Sequence, residues 1–366
     1  MMIQAQETQS LNPIQFHPFC DWVTISQRHG ADSVKVINSG MVVCLDSDGN
    51  IEYYTEKHQV HEGSYDTRLM IRSDGCTVSV SGNVGAFGRH DNVFNYSFVE
   101  TIRKLNDLLV NDFELPPFTA GEEFFRQVRF HSFKELKLLR VWTGATLSRI
   151  DLTQNFSLGS PELAAEYLHY LASLKPTRMR TQINGSSDTI ETVNYGLNSK
   201  YRSGVVYNKA LEFSKHKVQQ LKQKEPYYLN LFNYLTDNGV LRYELRLRQR
   251  YLTQSGLRYL GAIMEYPQEL DKIFAESASA VIRDTSLSSV NDLSRPAWLT
   301  YFRWIHGAKL PASRTFYRHR SEILRIVGVD VASPYTPQSM EYIRRRELSI
   351  KPAAIPTGYF LPKLEA

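Results

Sequence analysis

The sequence predicts an α+β protein: an antiparallel-sheet domain made of two sheet-plus-helix halves, followed by a smaller helical domain. Three observations indicate this class. Short extended runs, separated by Gly and by Asp-Gly or Gly-Asn pairs, occupy residues 21–83. A succession of strands and a helix recurs after residue 146, and beyond residue 267 alternating runs give way to helical spacing.

The first half combines a meander of strands with one helix. The extended runs within residues 21–83 are joined by turn pairs typical of hairpins, so neighbouring runs are expected to pair antiparallel. After the glycine-rich segment 82–92, apolar residues recur at helical spacing, which predicts a helix packed on the sheet. These apolar residues are Phe98, Ile102, Leu105 and Leu109.

The second half repeats this order. A strand is predicted over residues 147–153, and a helix is predicted to begin at Ser160 and Pro161, because proline is favoured in the first turn. Three further extended runs follow, at 189–195, 203–211 and 239–248.

We expect three segments along the chain: a first domain at 18–265, a basic helical domain at 266–351, and a tail at 352–366. Breaks in the helical pattern fall at Arg295-Pro296 and at 307–311. The tail region after residue 350 holds three prolines and is expected either to wrap around the molecule or to stay mobile.

The composition fits a folded chain with uneven charge. Of 366 residues, 42% are hydrophobic, enough for about two domains. The net charge of +5 is too small to indicate a polyanionic partner. However, residues 295–351 hold 11 Lys and Arg against 4 Asp and Glu, so this stretch alone carries +7 and the basic surplus lies near the C-terminus.

The number of cysteines and the hydropathy of the sequence indicate in which cellular compartment the protein is expected. Cys20, Cys44 and Cys76 form no CxxC pair and are odd in number, which argues against a zinc cluster or a disulfide scaffold. No basic region followed by an apolar run opens the chain, and no stretch of about 18 apolar residues occurs. A reducing cytosol and no membrane association are expected.

The strand predicted over 239–248 has one apolar face and one charged face. The charged face carries Arg242, Glu244, Arg246 and Arg248, because side chains alternate along a strand. One interpretation is an ordinary solvated face with ion pairs. The alternative is a phosphate-binding face that also carries a metal-binding carboxylate.

The strand over 147–153 favours the second interpretation. Arg149 and Asp151 share one of its faces, opposite apolar neighbours. If Asp151 and Glu244 meet across the sheet, their oxygens suit a hard cation such as Mg²⁺ or Mn²⁺. His61, in the segment KHQVHEGS, is a reserve ligand or phosphate contact, or else an ordinary polar residue near a loop.

Tyr207 and Lys209 are predicted to point the same way from the run 203–211. Tyrosine is a poor nucleophile at its ordinary pKa of about 10, so catalysis needs a nearby cation or metal that favours the phenolate. Lys209 can supply that charge. The chain has 21 tyrosines, and packing is the ordinary role for any one of them.

A basic helix is predicted near the C-terminus, with Ser313 as its cap and Gly328 at its end. Its arginine stripe lies opposite an apolar stripe. This helix either reads the major groove or contacts water and phosphates without reading sequence. The arginine stripe consists of Arg314, Arg318 and Arg325, and the apolar stripe of Phe316, Ile323 and Val327.

Six segments in order carry a resemblance over about residues 20–330. They are HEGSYDTRLMIR, SGNVGAFGRHDNVFN, TLSRIDLTQNFSLGSPE, TVNYGLNSKYRSGVVYNKALE, GVLRYELRLRQRYLTQSGL and, more faintly, LPASRTFYRHRSEILRIVGVD. Together they resemble the replication initiation proteins of filamentous phages, the gene II protein family of strand-nicking enzymes. The resemblance implies a nickase-like first domain of the rolling-circle type.

The resemblance also implies a mechanism. The segment YRSGVVYNK places the family nucleophile at Tyr207, with Lys209 as its cationic neighbour. The enzyme would nick the plus-strand origin of double-stranded phage or plasmid DNA, keep a 5′-phosphotyrosine link, leave a 3′-hydroxyl primer, and later rejoin the displaced strand. The residues expected to contact DNA are Arg149, Arg242, Arg246, Arg89, Arg314, Arg318 and Arg325.

Other expectations follow from the same resemblance. A host helicase and DNA polymerase would act after the nick, in the cytoplasm of the bacterial host. No pair of histidines flanks a single apolar residue, so the metal motif of the larger nickase superfamily is missing from this chain. Two alternatives stay open: a non-catalytic DNA-binding regulator of replication or copy number, and a relaxase-like strand transferase.

Overall fold

The computed structural model describes most of the chain. The described residues are 16–30, 34–64, 67–129, 136–173, 181–185, 189–281, 293–335, 350–359 and 361–362. Residues 336–349 of the basic helical domain predicted at 266–351 lie outside this part of the chain.

The described strands form one large antiparallel sheet and two separate two-stranded ribbons. The large sheet has the order β10-β11-β12-β13-β9-β1-β6-β5-β4, and β14 pairs with β9 beyond the start of β1. The ribbons are β2-β3 and β7-β8. The strands are β1 (Phe19–Arg28), β2 (Met41–Leu45), β3 (Ile51–Glu56), β4 (Gln59–Glu62), β5 (Arg68–Ser73), β6 (Thr77–Gly82), β7 (Glu123–Arg129), β8 (Leu136–Trp142), β9 (Thr146–Ser157), β10 (Thr181–Gly185), β11 (Ile190–Tyr195), β12 (Arg202–Asn208), β13 (Val240–Arg248) and β14 (Lys351–Pro352).

The helices begin and end where the sequence patterns change. The capping box of Ser97 and Glu100 starts α1, and a serine cap starts α10. The helices are α1 (Phe98–Asn111), α2 (Pro161–Ser173), α3 (Lys209–His216), α4 (Val218–Lys222), α5 (Pro226–Asp237), α6 (Gln249–Gln254), α7 (Leu260–Glu265), α8 (Gln268–Val281), α9 (Arg295–Ile305) and α10 (Arg314–Ile326). None of the described helices is long and apolar enough to cross a membrane.

The predicted α+β class is confirmed, with two sheet-plus-helix halves that meet where β1 pairs with β9. Helices α1 and α2 contribute to one hydrophobic core with the apolar faces of these strands. The predicted antiparallel pairing of neighbouring runs is confirmed for β2-β3, β4-β5 and β5-β6, but β1 pairs with β6 rather than with β2. The side chains of β2 and β3 are mostly exposed, so this ribbon has little apolar burial to hold it in the sheet.

The C-terminal helices fall into two groups. Helix α8 packs on β13 and adds Leu270 and Phe274 to the sheet core. Helices α9 and α10 surround a separate hydrophobic cluster that begins at Leu293. The division at residue 265 stays a prediction.

The tail region returns to the sheet, as the first of its two expected courses requires. Lys351 and Pro352 pair with the end of β9. The hydroxyl of Tyr359 then donates to Asp91 at 2.7 Å. The C-terminal segment thereby contacts both the end of β9 and the loop after β6.

Candidate functional site

The register of three central strands gathers the predicted site residues on one polar face. Tyr207 on β12 pairs with Arg242 on β13, while Glu244 pairs with Thr153 on β9. Arg246 pairs with Asp151 two residues further on. The opposite faces of these strands are apolar and buried in the sheet core. Because side chains alternate along each strand, the polar site residues lie on one face of the sheet and the apolar core residues on the other.

The central contact of this face is a hydrogen bond from the Tyr207 hydroxyl to Oε1 of Glu244, at 2.6 Å. Burial and the nearby carboxylate of Asp21 raise the pKa of Glu244 to about 7, although Arg242 opposes the shift. Burial also raises the pKa of Tyr207 well above its ordinary value, again against the effect of Arg242. The pair therefore consists of a neutral phenol and a carboxyl group that titrates near neutral pH.

Arg242 is fully buried beneath this pair. Its Nε donates to Oδ1 of Asn155 at 2.9 Å, and a terminal nitrogen donates to the carbonyls of Asn92 and Val93 at 2.6 Å. Its other terminal nitrogen lies 3.6 Å from Asp21. In this arrangement Arg242 acts as a fixed internal cation, and it faces protein groups rather than solvent.

Lys209 lies beside Tyr207 but not on the same strand. The predicted run 203–211 was too long: β12 ends at Asn208, whose side chain caps α3, and Lys209 opens that helix. The Lys209 ammonium still lies 5.9 Å from the centre of the Tyr207 ring. It is completely buried and donates to Asn92 at 2.9 Å and to Glu212 at 2.6 Å.

Burial and the Arg242 charge lower the pKa of Lys209, while Glu212 opposes the shift. Burial raises the pKa of Glu212, but the charges of Lys209 and Arg242 outweigh it and lower that pKa. Tyr207 and Glu212 also line a cavity of about 240 Å³, together with His216. Sequence reasoning missed Glu212 and Asp21, because neither belongs to the strand patterns that drew attention to the site.

Asp151 is held by two arginines. Nε of Arg149 donates to its Oδ1 at 2.8 Å, and a terminal nitrogen of Arg149 donates to its Oδ2 at 2.5 Å. Nε of Arg246 also donates to Oδ2, at 3.1 Å. Both carboxylate oxygens therefore already have cationic partners. Arg149 and Arg246 keep 27% and 30% of their side chains exposed, so they remain accessible to a ligand.

The structure brings together only two of the three residues predicted to hold Mg²⁺ or Mn²⁺. Asp151 and Glu244 lie on adjacent strands of one face, as predicted, but Asp151 is occupied by arginines. His61 lies on β4, five strands from β13, with its ring packed against Phe113 at 4.7 Å. Among the described residues, no group of three or more His, Cys, Asp or Glu side chains is placed to hold a metal ion.

Arg89 lies in the loop after β6, where it has structural contacts. It is buried, and it donates to the carbonyls of Gly85 and Phe94 and to the hydroxyl of Tyr359. This environment gives Arg89 a role in holding the loop and the C-terminal segment together.

The three arginines predicted on the basic helix are all exposed on α10. The predicted cap is confirmed, since the Ser313 side chain accepts from the Phe316 backbone N–H at 3.1 Å. Gly328 follows the helix with a φ of +81°, a left-handed conformation that glycine adopts readily. On the opposite side, Ile323 and Val327 are buried in the separate C-terminal cluster.

Comparisons with known proteins place these observations in a family. Residues 19–266 match the family model for the N-terminal part of the phage replication-associated protein, the gene II protein. The chain is 24% identical to the replication-associated gene II protein of Escherichia phage If1, over 80% of this chain and 98% of that protein. It is 23% identical to the corresponding protein of Enterobacteria phage I2-2, over 88% of this chain and 92% of that protein.

A solved structure is also similar in part. The rolling circle replication initiator protein from Geobacillus stearothermophilus shares 12% sequence identity, with 90% of this chain and 96% of that chain covered. The TM-score of this match is 0.28.

Proposed function

The chain belongs to the family of the phage replication-associated gene II protein, and from this premise we propose that it is a tyrosine-dependent nickase that initiates rolling-circle replication. It would cut one strand at the plus-strand origin of a circular phage or plasmid DNA and later rejoin the displaced strand. The observation that carries this proposal is the short hydrogen bond between Tyr207 and Glu244. A phenol paired with a carboxylate is the arrangement of a nucleophile with its general base.

The proposed step is a transesterification. The Tyr207 oxygen attacks the phosphorus of the scissile phosphodiester while its proton passes to Oε1 of Glu244. The bond from phosphorus to the 3′ oxygen breaks, and that oxygen takes a proton from solvent to become a 3′-hydroxyl. The 5′ phosphate stays esterified to Tyr207, so the energy of the broken ester is conserved for rejoining.

The environment of Tyr207 explains why a base is required. Its raised pKa means that the phenol carries its proton at neutral pH, so attack depends on proton transfer in the transition state. Glu244, with a pKa of about 7, is well matched to that task. Negative charge that develops on the phosphoryl oxygens would be stabilised by Arg246, the partly exposed cation two positions beyond Glu244 on β13.

Lys209 and Arg242 act at a distance from the reacting atoms. Both are fully buried with protein partners, so we assign them the task of keeping positive charge behind the phenol. A fixed cation favours the developing phenolate without having to reorganise during the reaction. The predicted divalent ion, host helicase and host polymerase stay predictions.

The test compares two tyrosine-to-phenylalanine substitutions. We expect Tyr207→Phe to abolish nicking of supercoiled phage DNA and the covalent protein–DNA adduct, both read on gels, while DNA binding persists. Tyr195→Phe is the matched control, since Tyr195 is buried on the apolar face with its hydroxyl on the Leu171 carbonyl. A Tyr207→Phe protein that nicks at the wild-type rate would disprove the proposed nucleophile. A chain that binds DNA but never nicks would favour the non-catalytic regulator.

A further inference from the structure

A cavity of about 820 Å³ opens at the far end of the polar sheet face. Its walls come from the start of β9, the turn between β11 and β12, the end of β13, and α6. Four of the described residues that line it are cationic and none is acidic. The cations are Arg149, Lys200, Arg248 and Arg250, and we call this cavity the basic groove.

The positive charge of the basic groove is only partly neutralised by nearby carboxylates. Arg149 and Arg248 are direct partners on adjacent strands, a pairing of like charges that disfavours the sheet. Asp151 neutralises part of this charge through Arg149 and Arg246. Nε of Arg248 is buried without a hydrogen-bond partner among the described residues. Arg248 therefore has a donor that no group in the described part of the chain uses.

The electrostatic environment of Arg248 also indicates that cations outnumber carboxylates around the basic groove. Burial and the charges of Arg246 and Arg149 lower the pKa of Arg248, as expected where cations crowd together without enough counter-charge. The remaining lining is mostly uncharged and polar, including Ser199, Gln249 and Thr253. Cations mixed with hydroxyl and amide groups suit the oxygens of phosphodiesters.

The basic groove is continuous with the proposed active site. Arg248, Arg246, Glu244 and Arg242 follow one another on the same face of β13. Arg248 lies six positions beyond Arg242, the partner of Tyr207, which corresponds to about 20 Å of strand. Arg246 is partly exposed between these ends, whereas Arg242 is fully buried. A chain of phosphates entering at the groove would thus reach Tyr207 by way of Arg246.

We propose that the basic groove binds phosphodiester groups of an unpaired DNA strand next to the site of cleavage, an inference that rests on the proposed nicking function. An unpaired strand is favoured over a duplex because Tyr207 lies half-buried in the sheet face. Duplex DNA is stiff over the length of such a site, whereas an unpaired strand can bend so that its backbone reaches a recessed hydroxyl. The contacts would be to the backbone, so the groove would be indifferent to base sequence.

The test removes two exposed groove charges that lie outside the proposed catalytic group. Lys200→Gln with Arg250→Gln is made in the Tyr207→Phe protein, so that binding is measured without cleavage. Anisotropy of fluorescein-labelled oligo(dT) is followed over a salt series. We expect the slope of log K against log salt to become shallower by about 1.4, since each phosphate contact on a single strand contributes about 0.7.

Two matched variants control for folding and for net charge. Lys200→Arg with Arg250→Lys keeps the groove charge and should keep the wild-type slope. Arg103→Gln with Lys222→Gln removes two exposed charges elsewhere and should also keep it. An unchanged slope in the groove variant would overturn the proposal, and so would an equal reduction on a blunt duplex of the same length.

The two proposals fail in different ways. If the groove variant keeps its slope while Tyr207→Phe abolishes nicking of supercoiled DNA, the groove inference alone is wrong. If the slope falls as expected but Tyr207→Phe still nicks, the nucleophile lies elsewhere and the strand does not lead to Tyr207.

Discussion

At the residue scale, the ability of Glu244 to act as a base toward Tyr207 depends on whether the Glu244 carboxyl group is ionised. A carboxyl group with a pKa of about 7 is half ionised near neutral pH, and only its ionised form can accept the phenol proton. The alternation of residues on β13 pointed to Glu244. The sequence could not indicate that Asp21, more than 200 positions away, would help to raise its pKa.

We expect the single-turnover nicking rate to rise with pH through about 7, as Glu244 loses its proton. Glu244→Gln should remove this rise and slow nicking by about 10² to 10⁴, the range typical of a lost general base. Rates of nicked-circle formation across neutral pH provide the measurement. Glu114→Gln, which alters an exposed carboxylate paired with Lys35, should leave the profile unchanged. A profile that keeps its rise in Glu244→Gln would exclude this carboxylate as the base.

At alkaline pH, Glu244→Gln should slow nicking but raise the thermal stability of the protein. A loss of activity in this variant would therefore not result from unfolding. The folded pKa of Glu244 is raised above the unfolded value of 4.5, so stability falls as pH rises between 4.5 and about 7. Above that window the wild type holds a buried charge that the amide lacks. Glu244→Gln should therefore melt at a higher temperature than the wild type at alkaline pH, and the difference should shrink in acid.

At the element scale, the sequence pattern predicted more about helix α10 than about strand β13. The alternation on β13 predicted its two faces, but not that the polar face would be partly closed by α3 and the loop after β6. Helix α10 was predictable in its cap, its end and both stripes, because these are local features of one amphipathic segment. Its arginines are directed away from the apolar cluster of α9 and α10.

We expect duplex DNA to contact the arginine stripe of α10. Arg314→Ala with Arg318→Ala should make the slope of log K against log salt shallower by about 1.8 on duplex DNA, if both touch phosphates. If either reads a guanine instead, the loss should be about 1 to 3 kcal/mol on the origin and smaller on scrambled duplex. Salt titrations on both duplexes measure this, with Arg103→Ala and Lys222→Ala as the control. Unchanged binding would mean that the stripe is only a solvated face.

At the scale of the whole molecule, the C-terminal segment joins distant parts of the chain. The Tyr359 hydroxyl donates to Asp91 and accepts from Arg89 at 2.8 Å and from the Phe94 backbone N–H at 3.0 Å. These partners belong to the loop whose carbonyls hold Arg242. The C-terminal segment therefore stabilises the loop after β6, and the carbonyls of that loop in turn hold Arg242.

Tyr359→Phe should lower the free energy of unfolding by about 1 to 3 kcal/mol, because it leaves buried donors and an acceptor without their partner. Urea denaturation of the two proteins measures the difference. Tyr53→Phe is the matched control, since Tyr53 lies exposed on the β2-β3 ribbon. Equal midpoints for Tyr359→Phe and the wild type would show that the tail does not belong to the cooperative unit.

The sequence by itself determined the α+β class, the charged face of β13, the placement of Arg149 and Asp151 on one face of β9, and the capped basic helix. Each of these depends on residues a few positions apart, so the periodicity of one strand or helix is enough to define it. Only the tertiary structure decided that β1 lies between β6 and β9, that Lys209 opens a helix and is buried, and that Tyr359 hydrogen-bonds to the loop after β6. These contacts join residues far apart in the chain, and the packing energy that selects them leaves no local pattern.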